Sequence, residues 1–108
     1  MTRVEFFDGD GRITGFCCKG HSGYAPAGED IVCAAVSTAT AFAANTIVDV
    51  LGIRAKVRVS DEDAKISLTL PASCEQDDAA QAVLTGMMLT LTKWREDYPD
   101  YLEVVMEV

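Results

Sequence analysis

The order of elements legible in this sequence predicts an α+β fold: a two-layer domain that combines two long helices with a largely antiparallel, five-stranded sheet in the order ββαββαβ. Three observations carry that reading. Short alternating apolar runs come in pairs separated by turn residues. Two long segments show helical rather than strand periodicity. The 108 residues make one domain, 1–108, with no repeat and no linker.

Each element follows from its residues. Val4-Glu5-Phe6-Phe7 in residues 3–8 suits a strand, and Asp8-Gly9-Asp10-Gly11 suits a hairpin turn, because Asp-Gly pairs adopt positive φ readily. Residues 12–19 continue as the second strand. Residues 20–29 contain three glycines and a proline and read as a loop. A first helix starts near Asp30, a good N-cap, and ends at Gly52 with Leu51 as its last core residue. Alternation over residues 53–60 and again at Ile66, Leu68 and Leu70 predicts two more strands, separated by Asp61-Glu62-Asp63 and ended by Pro71. The second helix runs from about Asp77 to Asp97. Ala80, Leu84, Met87, Leu91, Trp94 and Tyr98 form its stripe, with Gln81, Thr85, Lys93 and Glu96 off it. Residues 102–108 are the last strand.

Composition limits the function classes. Apolar residues make up 49% of the chain, which excludes a disordered tail or a collagen-like repeat. The net charge of −8 disfavours direct binding to nucleic acid or anionic lipid and favours a basic protein partner. Residues 31–48 carry no charge, but their threonines, Ser37, Asn45 and alanines suit a buried helix better than a membrane span. The N-terminus, with two acids in its first eight residues, does not suit a secretory leader. Four cysteines, two of them adjacent, do not make a disulfide scaffold. We therefore expect free thiols in a reducing cytoplasm.

One pair of residues can carry chemistry. His21, the single histidine, lies in the glycine-rich loop. Cys33 falls in the first turn of the first helix, where unpaired N–H groups and the helix dipole favour a thiolate. An imidazole within reach of that sulfur would take its proton and later give it to a leaving amine. Taken singly, each residue has an ordinary explanation, as a small core cysteine and a surface histidine. Their conjunction at a loop and the helix that directly follows is more telling. Asp30 caps that helix and could also orient His21. Ser37, four residues after Cys33, shares its helical face.

The stretch Gly20-His21-Ser22-Gly23-Tyr24-Ala25, with Gly28-Glu29-Asp30-Ile31-Val32-Cys33-Ala34-Ala35-Val36-Ser37 after it, resembles the signature of the ribosomal-processing cysteine protease family, Prp. Ser22 stands where alanine is commoner. The resemblance implies a homodimeric bacterial cytoplasmic peptidase that needs no cofactor. It would remove the N-terminal extension of a large-ribosomal-subunit protein precursor by cutting after an aromatic residue, a step in ribosome assembly. It implies Cys33 as nucleophile and His21 as general base and acid, with Asp30 and Ser37 as accompanying polar residues. Gly20, Gly23 and Gly28 would belong to a flexible loop that opens for substrate. Independently of the resemblance, the first helix is apolar on nearly every face, so part of it or of the second helix is expected to be covered by a second copy.

Two rivals remain open on the residues alone. A zinc site would have to draw on His21, Cys17, Cys18, Cys33 and Cys74, yet the chain has no Cys-x-x-Cys pair, and adjacent strand residues point to opposite faces. We therefore expect no metal. The other rival is a non-catalytic ribosome-assembly factor that binds a basic ribosomal protein without cutting it.

Overall fold

The structure, a computed structural model, describes residues 1–21, 23–26 and 30–107. In chain order the elements are β1 (Thr2–Gly9), β2 (Arg12–Lys19), α1 (Ile31–Asn45) continued by a π-helical turn (Thr46–Val50), β3 (Lys56–Ser60), β4 (Lys65–Thr69), α2 (Asp77–Asp97) and β5 (Leu102–Glu107). The sheet order is β3-β4-β2-β1-β5. Its pairs are antiparallel except β1 with β5, which run parallel because α2 crosses from one side of the sheet to the other. This is the expected ββαββαβ, α+β arrangement.

The β1–β2 hairpin turns on Asp10 and Gly11, both at positive φ (56° and 78°), as a two-residue hairpin turn demands. The register slips between Phe7 and Asp8, leaving Thr14 as an extra residue in β2. Just beyond it, a Cβ on Gly15 would lie 2.2 Å from the Leu68 carbonyl oxygen of β4. Only glycine lets the two strands approach so closely.

Alternation then sorts the two faces of the sheet. Val4, Phe6, Phe16, Cys18 and Leu68 join the helices in one core. The Phe6 and Phe16 rings lie 6.3 Å apart at its centre. The helix α2 contributes Ala80, Leu84, Met87 and Leu91, and α1 contributes Val32, Val36, Thr40 and Ala43. The other face of the sheet is polar. Arg3 bonds Glu103 at 2.6 Å and Glu107 at 3.2 Å, and Lys19 pairs with Glu5 at 3.1 Å. Cys17 sits on that face between Glu5 and Ser67, while Cys18 faces the core.

Three details differ from the sequence reading. The first helix does reach Gly52, which adopts φ of +68°, but its last turn is π-helical, with the Leu51 N–H bonding the Thr46 carbonyl at 2.8 Å. The third strand begins at Lys56 rather than at residue 53. Its Val57 and Val59 are 39% and 66% exposed, because an edge strand extends past the helices that cover the sheet. Gln81, which lies off the apolar stripe of α2, docks that helix on the hairpin: its side chain accepts from the Ile13 N–H and donates to the Ile13 carbonyl, both at 2.7 Å. Beside it, Arg12 makes a two-point contact with Asp77 and holds that carboxyl below the usual range. By length and composition residues Ile31–Val50 could cross a membrane, yet the inner stripe of this helix is built into the core.

Gly15→Ala is expected to destabilise the fold by more than about 2 kcal/mol, because the clash is with backbone that cannot rotate away. Chemical denaturation of the variant reads this directly, and unchanged stability would mean that β2 and β4 can separate at Gly15.

Candidate active site

The helix α1 begins where Asp30 stops being helical, at φ −85° and ψ 100°. Its Oδ1 accepts the backbone N–H of Cys33 at 2.9 Å, and its carbonyl accepts from Ala34 at 3.0 Å. Asp30 is thus an N-cap, and its bond goes to the very residue that bears the thiol. Cys33 sits half-buried in the first turn. One turn on, Ser37 is exposed on the same side of the helix.

His21 arrives from the other direction, one residue past Gly20. That glycine is held from both sides: its N–H bonds the Ala64 carbonyl at 3.0 Å, and its carbonyl accepts from the Thr2 hydroxyl at 3.3 Å. Gly20 has φ of +86°, and a Cβ there would lie 2.8 Å from the Met1 carbonyl oxygen. No other residue fits. Gly23 also has positive φ, +75°, but faces open space. Gly28, the third glycine of the expected loop, lies outside the described residues.

The structure brings His21, Cys33, Asp30, Ser37, Gly20 and Gly23 to one cavity of about 790 Å³. Its floor is formed by Cys18, Val36, Thr40 and Ile66. Val59, Asp61 and Lys65 reach it from the β3–β4 hairpin. The walls are largely apolar, with polar side chains from β2, α1 and the β3–β4 hairpin among them, the build expected of a site for a partly apolar chain. Cys74 lines a different, smaller hollow beside Leu51 and Pro71. Among the described residues, no three His, Cys, Asp or Glu side chains are grouped to hold a metal ion.

The thiols at this cavity differ by environment. Cys18 is buried, and burial pushes its pKa up to about 11, with the Thr40 hydroxyl at 3.3 Å offsetting only part of that. It is a protonated, structural thiol at neutral pH. Cys33 is the cysteine placed at a helix N-terminus.

Sequence reasoning assigned no role to Thr2, Tyr24 or Thr40. Thr2 is 3% exposed, lines the cavity and bonds both Gly20 and the Tyr101 carbonyl. Tyr24 packs edge-on against Tyr98 and Tyr101, with centroids 5.5 and 5.2 Å away. The only sequence signal for that contact was three tyrosines in a chain that has no others.

A two-layer α+β domain that sets a cysteine at a helix start, in a cavity shared with a histidine, has the organisation of a thiol peptidase. The comparisons with known proteins specify the family. The model of the cysteine protease Prp family matches residues 1–103, and this chain belongs to that family. The ribosomal processing cysteine protease Prp of Bacillus subtilis (strain 168) is 27% identical over 101 residues, which cover 92% of this chain and 90% of that protein. The essential ribosomal processing protease Prp from S. aureus, crystallised with a covalently linked product peptide, superposes with a TM-score of 0.89 at 23% identity, covering 99% of this chain and 100% of that one. The same S. aureus protease with a substrate peptide gives 0.85 at 23% identity, again covering 99% and 100%. These superpositions show the fold.

In the folded protein, iodoacetamide at mildly acidic pH is expected to label Cys33 before Cys17 and Cys18, with Cys18 reacting only once the protein unfolds. Peptide mapping after brief alkylation reads the order. Labelling of Cys18 first would remove Cys33 from the role of nucleophile.

Proposed function

We propose that this chain is a cysteine endopeptidase that removes the N-terminal extension of a large-ribosomal-subunit protein precursor during ribosome assembly. Membership of the Prp family, together with Cys33 and His21 lining one cavity, carries the reading. In it, His21 takes the proton of the Cys33 thiol, and the thiolate attacks the scissile carbonyl. Backbone N–H groups at the helix start, near Cys33, stabilise the oxyanion. The C–N bond breaks as His21 gives its proton to the leaving amine. Water then hydrolyses the thioester and frees Cys33. Asp30 holds the helix start in place, and Ser37 provides a hydroxyl at the same wall. No metal or cofactor takes part in this scheme.

The charge of −8 supports a basic substrate by long-range attraction. The same charge favours a protein over nucleic acid or an anionic membrane as direct partner, in the bacterial cytoplasm. A homodimer is supported by the outer side of α1 and its π-turn, where Phe42 is 68% and Val50 75% exposed.

His21→Ala and Cys33→Ala are each expected to abolish cleavage of a precursor with its extension, read by mass spectrometry, while the fold persists. The double variant is expected to be little worse than either single one, since groups that act as a unit are not additive. Wild-type rates in either folded single variant would refute the pair. Separately, sedimentation at micromolar concentration is expected to show a dimer that Phe42→Glu weakens, and an 11.6 kDa species for the wild type would exclude it.

A further inference from the structure

Resting on the reading above, we propose that Tyr24 is a positioning residue for His21, acting through an aromatic clamp on Tyr98 and Tyr101. His21 lies between two attachments. On one side Gly20 is fixed by the Ala64 carbonyl and the Thr2 hydroxyl. On the other side the Tyr24 ring meets Tyr98 at 83° and Tyr101 at 80°, both in edge-to-face geometry, which is favourable beyond the area it buries. Both anchors return to one place. The Tyr101 carbonyl accepts the N–H of Thr2 at 3.0 Å, and Thr2 in turn holds Gly20. Tyr98 is itself backed by Trp94, 4.8 Å away, on the last turns of α2. The chain between these points includes Gly23 at φ of +75°, where a Cβ would meet open space. The clamp is the described anchor on the far side of His21. Tyr24 is not itself among the cavity-lining residues, so its action on the chemistry is indirect.

The test measures precursor cleavage by the full chain, with kcat and KM separated. Tyr24→Ala is expected to lower kcat about tenfold with KM little changed, as a misplaced base slows chemistry more than binding. Tyr24→Phe keeps the ring and is expected to restore most of the rate. Tyr101→Leu is expected to reproduce the loss, and the double variant Tyr24→Ala/Tyr101→Leu to be no worse than either single one. Four results would overturn the clamp: an unchanged kcat in Tyr24→Ala, an equal loss in Tyr24→Phe, a loss confined to KM, or fully additive losses. Circular dichroism confirms that each variant is folded. If Tyr24→Ala does not fold, the comparison passes to Tyr24→Leu, with the same outcomes. A wild type that fails to cut the precursor refutes the function instead of the clamp. The clamp is then judged by alkylation: Tyr24→Ala must slow Cys33 labelling as far as His21→Ala does, and a wild-type labelling rate in Tyr24→Ala overturns it.

Discussion

A two-layer domain of this size has one covered sheet face, and α1 must meet three demands at once. Its inner stripe, Val32, Val36, Thr40 and Ala43, fills the core. A second side, bearing Cys33 and Ser37, forms a wall of the cavity. A third side, with Phe42, is left outside. Residues 31–48 meet them without a charged side chain, so a composition that resembles a membrane span belongs to a helix whose inner stripe is built into the core.

The start of that helix is where packing becomes chemistry. Asp30 accepts the amide of Cys33, so the bond that begins α1 also fixes the backbone of the residue bearing the thiol. The chemistry proposed for the site depends on where His21 is held, and the Thr2 node bears on it. One buried threonine at the beginning of the chain ties the Gly20 carbonyl to the Tyr101 carbonyl, linking the start of β5 to the loop that carries His21.

Much of this was legible in the sequence, for identifiable reasons. The bounds of α2 follow from its stripe and from Pro99, and the hairpin turn follows from Asp10-Gly11, because local chemistry decides both. The nucleophile and base could be nominated because a helix start and a glycine loop have distinct sequence marks. What could not be read depends on long-range contacts. The exposure of Val57 and Val59 follows from the edge position of β3, which alternation does not encode. The docking of Gln81 on Ile13 requires knowing that β2 bulges at Thr14. The meeting of Tyr24 with Tyr98 and Tyr101 joins residues more than seventy positions apart, through the parallel pairing of β1 with β5.

The four cysteines show how environment decides function. Cys17 and Cys18 are neighbours in β2, yet the pleat sends one to the polar face of the sheet and the other into the core. Cys18 even touches the cavity that Cys33 and His21 line, so proximity alone does not single out one thiol. It sits in a floor of apolar groups where a thiolate would lose its hydration, and burial keeps its proton on. Cys33 lines the same cavity, half-buried, in the first turn of α1. A thiol at position 18 therefore lacks the helix start that Cys33 has. The cavity forms where α1 meets the Gly20 loop, and of the two thiols that line it Cys33 is the one set at the helix start.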